Sequence, residues 1–242
     1  MNKHELDKQM SKFRFVQPEE NNWVLGNDIH IWKFSSIATR FFLLTPEEIK
    51  ITNRFRSESD RNRFAVARQA LRVLLSKYLS VSQMDIHIHS EKGMKPYITS
   101  PPSDIQFNIS HSGDCVLIAF ALDELGIDVE KINPQFNFVH LLEDHFSAGE
   151  KSFITEAADP VSAFYYLWTR KEALIKAWGT GLHDNLKQVL VLPADSPINR
   201  ENKLWVIESF QVSPMYPAAL AYSGRDQNLK YLEGNYVFNH TA

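Results

Sequence analysis

The chain has 242 residues with 44% apolar and 23% charged side chains, which is enough to bury a core in one large domain or in two small ones. The formal net charge of −3 provides no overall positive field, so the composition gives no indication of nucleic-acid binding. The single cysteine, Cys115, excludes an intramolecular disulfide and a thiolate zinc site and predicts a reducing compartment.

The first 22 residues are polar and weakly patterned, and we interpret them as a flexible N-terminal arm. They contain no apolar stretch like that of a signal peptide, and no run of 18 apolar residues elsewhere predicts a membrane span. We therefore expect a cytoplasmic protein with no membrane segment. Apolar residues at Ile29, Ile31 and Phe34 indicate a first strand.

Two helix starts follow this strand. Residues 45–48 read Thr-Pro-Glu-Glu, which places a capping threonine before a proline at the first helical position and a glutamate that completes a capping box. Ser57 begins a second helix, predicted at 58–79. Its buried stripe consists of apolar residues at helical spacing, namely Phe64, Ala67, Leu71, Leu74, Leu75 and Tyr78.

The spacing of apolar residues changes from helix to strand after the second helix. Strands are predicted around 86–89, at 107–110 and at 116–122, and a turn at 112–114 joins the last two as a pair. Residues 126–130 are predicted to form a further short strand.

The second half of the chain again contains helices followed by strands. Helices are predicted at about 136–157 and 160–178, and Gly179 and Gly181 are expected to end the second one. The apolar residues with strand-like spacing after this helix are Leu190, Leu192, Trp205, Ile207, Phe210 and those of 218–222.

The order of these elements predicts the fold class. Each half of the chain combines helices with strands, which is typical of an α+β protein made of two similar subdomains. We place the subdomains at 23–124 and 125–242, after the arm at 1–22.

Asp128 and Glu130 are the first candidates for chemistry. Residues two apart in a strand project from the same face, so these carboxylates are predicted to lie side by side. They repel each other unless a cation lies between them, and magnesium is the cation that suits oxygen ligands beside a phosphate. The alternative is an exposed strand face that carries two solvated acids.

Glu172 and Lys176 share a face of the last predicted helix, because they are four residues apart. One interpretation is an ordinary surface ion pair. The other places this face along a cleft, since the helix is hydrophobic around Trp168 and Leu174. Lys171 and Lys176 would then neutralise a pyrophosphate while Glu172 reaches the metal.

Two further segments carry polar residues near strand ends. Ser110 and His111 suit either a phosphate contact or a turn cap. A serine–histidine hydrolase is disfavoured, because adjacent strand residues point apart and the Gly-x-Ser-x-Gly elbow is missing. Lys95 and Pro96 suit an adenine edge or a phosphate, and the alternative is a solvated loop lysine.

Together and in this order, these segments resemble the phosphopantetheinyl transferase superfamily, and more closely its surfactin-type branch, which is built as a single-chain pseudo-dimer. The resemblance covers residues 45–182. It rests on Arg63, Lys95-Pro96, residues 108–112, residues 126–130, Phe146-Ser147 with Glu150, and residues 168–176. It implies two subdomains related by a pseudo-twofold axis, with the active site in the cleft between them.

The resemblance also implies roles for the charged residues. The implied magnesium ligands are Asp128, Glu130 and Glu172. Glu172 would also act as the base toward the attacking serine, directly or through a water. Lys171 and Lys176 resemble phosphate ligands, and Lys176 would stabilise charge on the transferring phosphate or the leaving group. Glu150 resembles a supporting acid.

The implied coenzyme A contacts are Arg63, Lys95, Pro96, Ser110 and His111. His111 would lie near the 3′-phosphate, and Lys95 and Pro96 would border the adenine. Two positions where this branch has lysines hold Glu48 and Ile51, and Phe64 stands where a hydroxyl residue can occur. We therefore expect a differently built 3′-phosphate pocket, with one or more of Lys50, Arg54 and Arg63.

As a function, the resemblance implies transfer of phosphopantetheine from coenzyme A to a serine of an apo-acyl or apo-peptidyl carrier protein. The enzyme would depend on Mg²⁺, release 3′,5′-ADP and act as a monomer. Two alternatives stay open. One is a magnesium-dependent pyrophosphohydrolase that uses water in place of the serine, and the other is a non-catalytic module that binds coenzyme A or a carrier.

Overall fold

The computed structural model describes residues 13–19, 23–37, 44–91, 94–180, 186–193, 196–224 and 227–240. The chain divides into two compact units. The first unit contains Arg14–Leu122 together with Gln227–Ala242, and the second centres on Asp123–Asp226. Each unit combines helices with a β-sheet, which confirms the predicted α+β fold with two subdomains. The pseudo-twofold axis and the cleft stay predictions.

The described helices are α1 (Pro46–Thr52), α2 (Glu58–Leu79), α3 (Val139–His145), α4 (Ala148–Thr155) and α5 (Pro160–Trp178), with 3₁₀ turns at Gln83–Asp85, Leu186–Gln188 and Asn235–His240. The described strands are β1 (Asp28–Ser35), β2 (His87–His89), β3 (Tyr97–Ser100), β4 (Gln106–Ser112), β5 (Cys115–Ala121), β6 (Leu125–Val129), β7 (Ile198–Arg200), β8 (Lys203–Ser213), β9 (Tyr216–Ser223) and β10 (Asn228–Glu233). None of these helices is long and apolar enough to cross a membrane.

In the first unit, helix α2 packs on a four-stranded sheet with the order β10–β1–β5–β4. β1 runs parallel to β10 and antiparallel to β5, and β5 runs antiparallel to β4. β5 is buried along its whole length, in agreement with its continuous apolar run. Apolar side chains of the sheet and of α2 form the core, among them Trp32, Phe34, Phe120, Val66 and Leu74.

The two helix starts of this unit form as the local sequence predicts. Thr45 and Glu48 complete a capping box, in which the Thr45 hydroxyl accepts from the Glu48 N–H at 3.2 Å and the Glu48 carboxylate accepts from the Thr45 N–H at 2.8 Å. The Ser57 hydroxyl accepts from the Asp60 N–H at 3.4 Å. Helix α2 then covers the residues predicted for it.

The last strand, β10, was not predicted, and it lies in the first unit. β10 pairs in parallel with β1, so that Leu232 lies opposite Trp32. Residues 227–242 therefore belong to the first unit, although the predicted second subdomain at 125–242 includes them. The parallel partner of β10 is more than 190 residues away in the sequence, and local patterns carry no information on such a pairing.

Part of the predicted arm at 1–22 also contacts this sheet. Val16 forms a parallel β-bridge with Leu232, and its N–H donates to the Tyr231 carbonyl at 3.0 Å. The rest of the predicted arm, at 1–12 and 20–22, lies outside the described residues.

In the second unit, helix α5 packs on a sheet with the order β6–β9–β8–β7, in which all neighbouring strands are antiparallel. The single helix predicted at about 136–157 is two helices, α3 and α4. A new helix begins at Ser147, because Ser147 and Glu150 form a second capping box. Gly179 ends α5 in the left-handed region at a φ of 70°, as predicted, and Gly181 lies outside the described residues.

Candidate active site

Gly126 brings strand β6 into close contact with helix α5. A Cβ atom at this position would lie 2.2 Å from the Ala173 carbonyl oxygen and 2.3 Å from the Ala177 nitrogen, so a larger residue would push the two elements apart. Residues at two-residue spacing share a strand face, and Asp128 and Glu130 therefore project toward α5 as Gly126 does. The predicted carboxylate pair thus faces the predicted helix.

Asp128 confirms this orientation through a direct contact with the helix. Its carboxylate Oδ1 accepts from the Lys176 ammonium at 2.6 Å, although the two residues are far apart in sequence. Asp128 is only 3% exposed and lies in a strand in which every residue is buried. A buried carboxylate needs a compensating charge, and Lys176 supplies it.

Glu172 lies beside this pair, and nearby positive charge offsets its negative charge only in part. Its Oε1 is buried and accepts no hydrogen bond from the described residues. Burial and the nearby negative charges of Asp128 and Glu130 raise the pKa of Glu172 to about 7, against the opposing effect of Lys176. The three carboxylates are therefore close enough to influence one another, and they carry more negative charge than one lysine offsets.

Lys176 keeps its positive charge in this setting. Burial alone would lower its pKa, but Asp128, through its charge and its hydrogen bond, outweighs that effect together with Glu172 and Glu130. The net result is a Lys176 pKa above the ordinary value. A fixed cation thus lies at one side of the carboxylate group.

The carboxylate group fits a hard cation by its chemistry. Its donors are oxygens, the excess charge is negative, and Glu172 Oε1 is a buried acceptor that a cation would satisfy. In the described part of the chain, no three acidic, histidine or cysteine side chains already converge as a metal centre. The magnesium-ligand role of Asp128, Glu130 and Glu172 therefore stays a prediction.

Lys171 requires a correction, because the structure places it in the interior and not at a phosphate site. Its side chain is 0% exposed and forms an ion pair with Glu150 at 2.9 Å. The ammonium also donates to the carbonyls of Leu186, at 2.9 Å, and of Val189. Burial lowers the Lys171 pKa, although Glu150 opposes that effect. All three ammonium protons are used, so Lys171 has none left for a phosphate.

Glu150 has a structural role of the same kind. It is 1% exposed, and its carboxylate accepts from Lys171, from the Ser147 N–H at 2.9 Å and from the Val191 N–H at 3.1 Å. Lys171 and Glu150 therefore tie the segment 186–191 to helices α4 and α5. This segment includes Leu190, whose apolar pattern predicted a strand, but its backbone is irregular after a 3₁₀ turn.

The other predicted coenzyme A contacts, apart from Lys171 and Lys176, lie in the first unit. Ser110 and His111 occupy opposite faces of β4, with Ser110 buried and His111 exposed, as expected for neighbours in a strand. Lys95 and Pro96 are half-buried before β3. Arg63 donates to the Ser59 hydroxyl at 3.1 Å and the Gly113 carbonyl at 2.9 Å, and it pairs with Asp60. Their roles toward coenzyme A stay predictions.

Each of the two units contains a segment that matches a known protein family. Residues 124–221 match the family described as "4′-phosphopantetheinyl transferase superfamily", and residues 32–122 match "4′-phosphopantetheinyl transferase, N-terminal". The 4′-phosphopantetheinyl transferase Sfp of Bacillus subtilis is 30% identical over 190 residues, which cover 76% of this chain and 84% of that protein.

Two cyanobacterial relatives extend the comparison. The 4′-phosphopantetheinyl transferase HetI of a Nostoc species is 29% identical over 72% of this chain and 78% of its own length. A putative 4′-phosphopantetheinyl transferase of a Synechocystis species is 30% identical over 61% of this chain, and the match spans 62% of that relative. The chain therefore belongs to the 4′-phosphopantetheinyl transferase superfamily. Within it, the chain is of the Sfp-like type.

Proposed function

We propose that this protein transfers the 4′-phosphopantetheine group of coenzyme A to a serine of an apo-acyl or apo-peptidyl carrier protein, with release of 3′,5′-ADP. Membership of the transferase family supports this reaction. The observation that carries it is the group of three carboxylates around Glu172, which has an excess of negative charge and one fixed lysine. Such a group suits a cation-assisted reaction on a pyrophosphate.

The residues proposed to hold Mg²⁺ are Asp128, Glu130 and Glu172. When bound, the ion would neutralise the coenzyme A pyrophosphate and polarise the phosphate under attack. The buried Glu172 Oε1, which has no hydrogen-bond partner among the described residues, supports this assignment, because a bound cation would compensate the negative charge of the three acids.

Two side chains of the protein, Glu172 and Lys176, would act directly in the transfer. Glu172 would accept the proton of the carrier serine hydroxyl, directly or through a water. The serine oxygen would form a bond to the β-phosphorus of coenzyme A, and the bond from that phosphorus to 3′,5′-ADP would break. Lys176 would stabilise the negative charge on the transferring phosphate or on the leaving group.

The first unit would supply the nucleotide contacts, from the residues named above. The structure supports one part of the expectation that the 3′-phosphate pocket is built differently from that of the surfactin-type branch. Glu48, which replaces a lysine of this branch, completes the capping box and pairs with Arg72 at 3.3 Å. Glu48 thus has a structural role, and Lys50, Arg54 and Arg63 stay the residues proposed for the 3′-phosphate, together with His111.

Intact-mass analysis of a purified apo-carrier protein tests the proposal. The carrier is incubated with coenzyme A, Mg²⁺ and the protein, and we expect a mass gain equal to one phosphopantetheine group. The gain should vanish with Asp128→Ala and with EDTA. If 3′,5′-ADP is released without any carrier, the protein is a pyrophosphohydrolase. If several carriers stay unmodified while coenzyme A still binds, the protein is a binding module.

A further inference from the structure

The extended chain that follows β6 continues the pairing with β9 on one side, and its other side, called the open side below, faces away from the sheet. β6 is at the edge of its sheet, and beyond its last residue the N–H groups of Glu130 and Ile132 still donate toward the β9 side, to Pro217 at 3.1 Å and Met215 at 2.9 Å. Successive N–H groups of an extended chain point in opposite directions, so the N–H groups that alternate with these two face away from the sheet.

The hydroxyl of Tyr165 accepts a hydrogen bond on that open side. The Asn133 N–H donates to Tyr165 Oη at 3.2 Å, which connects helix α5 to the segment just after Glu130. Tyr165 lies seven residues, about two turns, before Glu172 and so is on the same side of the helix. One side chain therefore links the two elements that carry the carboxylates.

Aromatic packing makes Tyr165 a rigid link. Its side chain is 7% exposed, and its ring contacts those of Phe164 and Phe136 at centroid distances of 5.3 and 6.3 Å. Burial raises the pKa of Tyr165, against the hydrogen bond from Asn133 and with the help of the negative charge of Glu130. Glu130 is thus near the hydroxyl, which stays protonated at neutral pH.

Gly126 supplies the second contact between the same two elements. The strand meets Ala173 and Ala177 at Gly126 and meets Tyr165 at Asn133, so strand and helix run in opposite directions with Asp128 and Glu130 between the two contacts. A segment fixed at both ends holds the residues between them at a defined distance from the helix. Glu172 and Lys176 are on the facing helix surface.

We propose that Tyr165 is a positioning residue, which together with Gly126 braces β6 against α5 and sets the spacing between Asp128, Glu130 and Glu172. The proposal rests on the proposed function, since it deepens the description of that carboxylate group. Without the hydroxyl, the segment loses its tie to the helix at Asn133, while the contacts at Gly126 and between Asp128 and Lys176 stay. Glu130 then shifts first, because it is nearest to the released end.

Tyr165→Phe tests the brace, because it removes the hydroxyl and keeps the ring. The matched control is Tyr166→Phe at the next position, where the ring faces Phe153 and Arg170. Mn²⁺ binding is measured by electron paramagnetic resonance on both variants. We expect Tyr165→Phe to weaken Mn²⁺ binding about tenfold, as loss of a residue that orients metal ligands does, and Tyr166→Phe to bind as the wild type does.

The transfer reaction provides a second readout. Tyr165→Phe should raise the Mg²⁺ concentration for half-maximal transfer and leave the KM for coenzyme A unchanged. Unchanged Mn²⁺ binding in Tyr165→Phe, or an equal loss in both variants, overturns the brace. If the wild type binds Mn²⁺ but modifies no carrier, the proposed function fails, while the Mn²⁺ comparison still decides on the brace.

Discussion

Two glutamates of the second unit, the buried Glu150 and the half-buried Glu172, have opposite surroundings. Glu150 has an ion pair with Lys171 and two backbone N–H donors. Glu172 has a buried Oε1 without a hydrogen bond from the described residues, and burial together with two neighbouring acids raises its pKa. Removing one partner of a compensated buried ion pair destabilises a fold, whereas a poorly compensated charge with a strongly shifted pKa is typical of a functional site. The difference separates a glutamate with structural contacts from the one proposed to act in the reaction.

The largest effect is expected from Glu172→Gln. The amide cannot accept the serine proton or supply a charged ligand, so transfer should fall by about 10²–10⁴-fold in a steady-state assay. The melting temperature should stay equal or rise, because a poorly compensated buried charge is removed. A variant that keeps transfer would contradict the functional role of Glu172.

Glu150→Gln should affect stability instead. It leaves Lys171 buried without its counter-charge, and breaking such a pair costs about 3–5 kcal/mol of unfolding free energy. Urea denaturation measures this loss. Glu143→Gln is the matched control, because Glu143 pairs with Lys151 with its side chain 72% exposed, and its loss should leave the unfolding free energy nearly unchanged. If both substitutions change the unfolding free energy equally, the structural role assigned to Glu150 is wrong.

The first unit contains a buried histidine, and its titration gives a further test of how burial affects a charged group. His30 is 0% exposed, and its Nδ1 lies 2.6 Å from the Tyr78 hydroxyl, which also accepts from the Trp32 indole at 2.8 Å. Burial and then the positive charge of Lys230 lower its pKa to about 4, although Asp28 opposes them. His30 is therefore neutral in the folded protein at neutral pH.

The direction of the pH effect follows from this shift. Between the unfolded pKa near 6.5 and the folded value near 4, the unfolded chain binds more protons. Acidification through this window should lower the unfolding free energy by about 3 kcal/mol from His30 alone. His30→Phe should show a flatter pH dependence between pH 7 and 4 in urea denaturation. An unchanged slope would show that His30 is not the titrating group.

Gly126→Ala tests the spacing between strand β6 and helix α5. The new methyl group overlaps the backbone of α5, and forced overpacking costs about 1–3 kcal/mol. Gly149→Ala is the control, because no atom lies within 4 Å of a Cβ there, and it should be neutral or stabilising. Thermal unfolding and Mn²⁺ binding of both variants measure the difference. Full Mn²⁺ affinity in Gly126→Ala would show that strand–helix spacing does not govern the carboxylates.

Local features of the molecule were predictable from the sequence. The capping box at Thr45, the helix from Glu58 to Leu79 and the alternation that places Asp128 and Glu130 on one strand face depend on residues a few positions apart. Such spacings report on backbone geometry directly. The family resemblance, which the comparisons confirm, also depends on short motifs in a fixed order.

The features that were missed depend on contacts over long sequence distances. The partners of Lys171 are Glu150, Leu186 and Val189, and no local pattern shows that they saturate its ammonium. Its position between Leu167 and Leu174, four residues after one and three before the other, was the available signal, because this spacing puts it on an apolar helix face. A glycine within an apolar strand was a similar signal for the close approach at Gly126, but the Asn133–Tyr165 bond had none.

The most direct test compares Glu172→Gln with Glu150→Gln in one intact-mass experiment on an apo-carrier protein. Both variants are assayed with coenzyme A and Mg²⁺ at a temperature at which circular dichroism shows both to be folded. We predict that Glu150→Gln still adds phosphopantetheine to the carrier and that Glu172→Gln does not. Modification of the carrier by Glu172→Gln at the wild-type rate, or loss of transfer only in Glu150→Gln, would contradict the account.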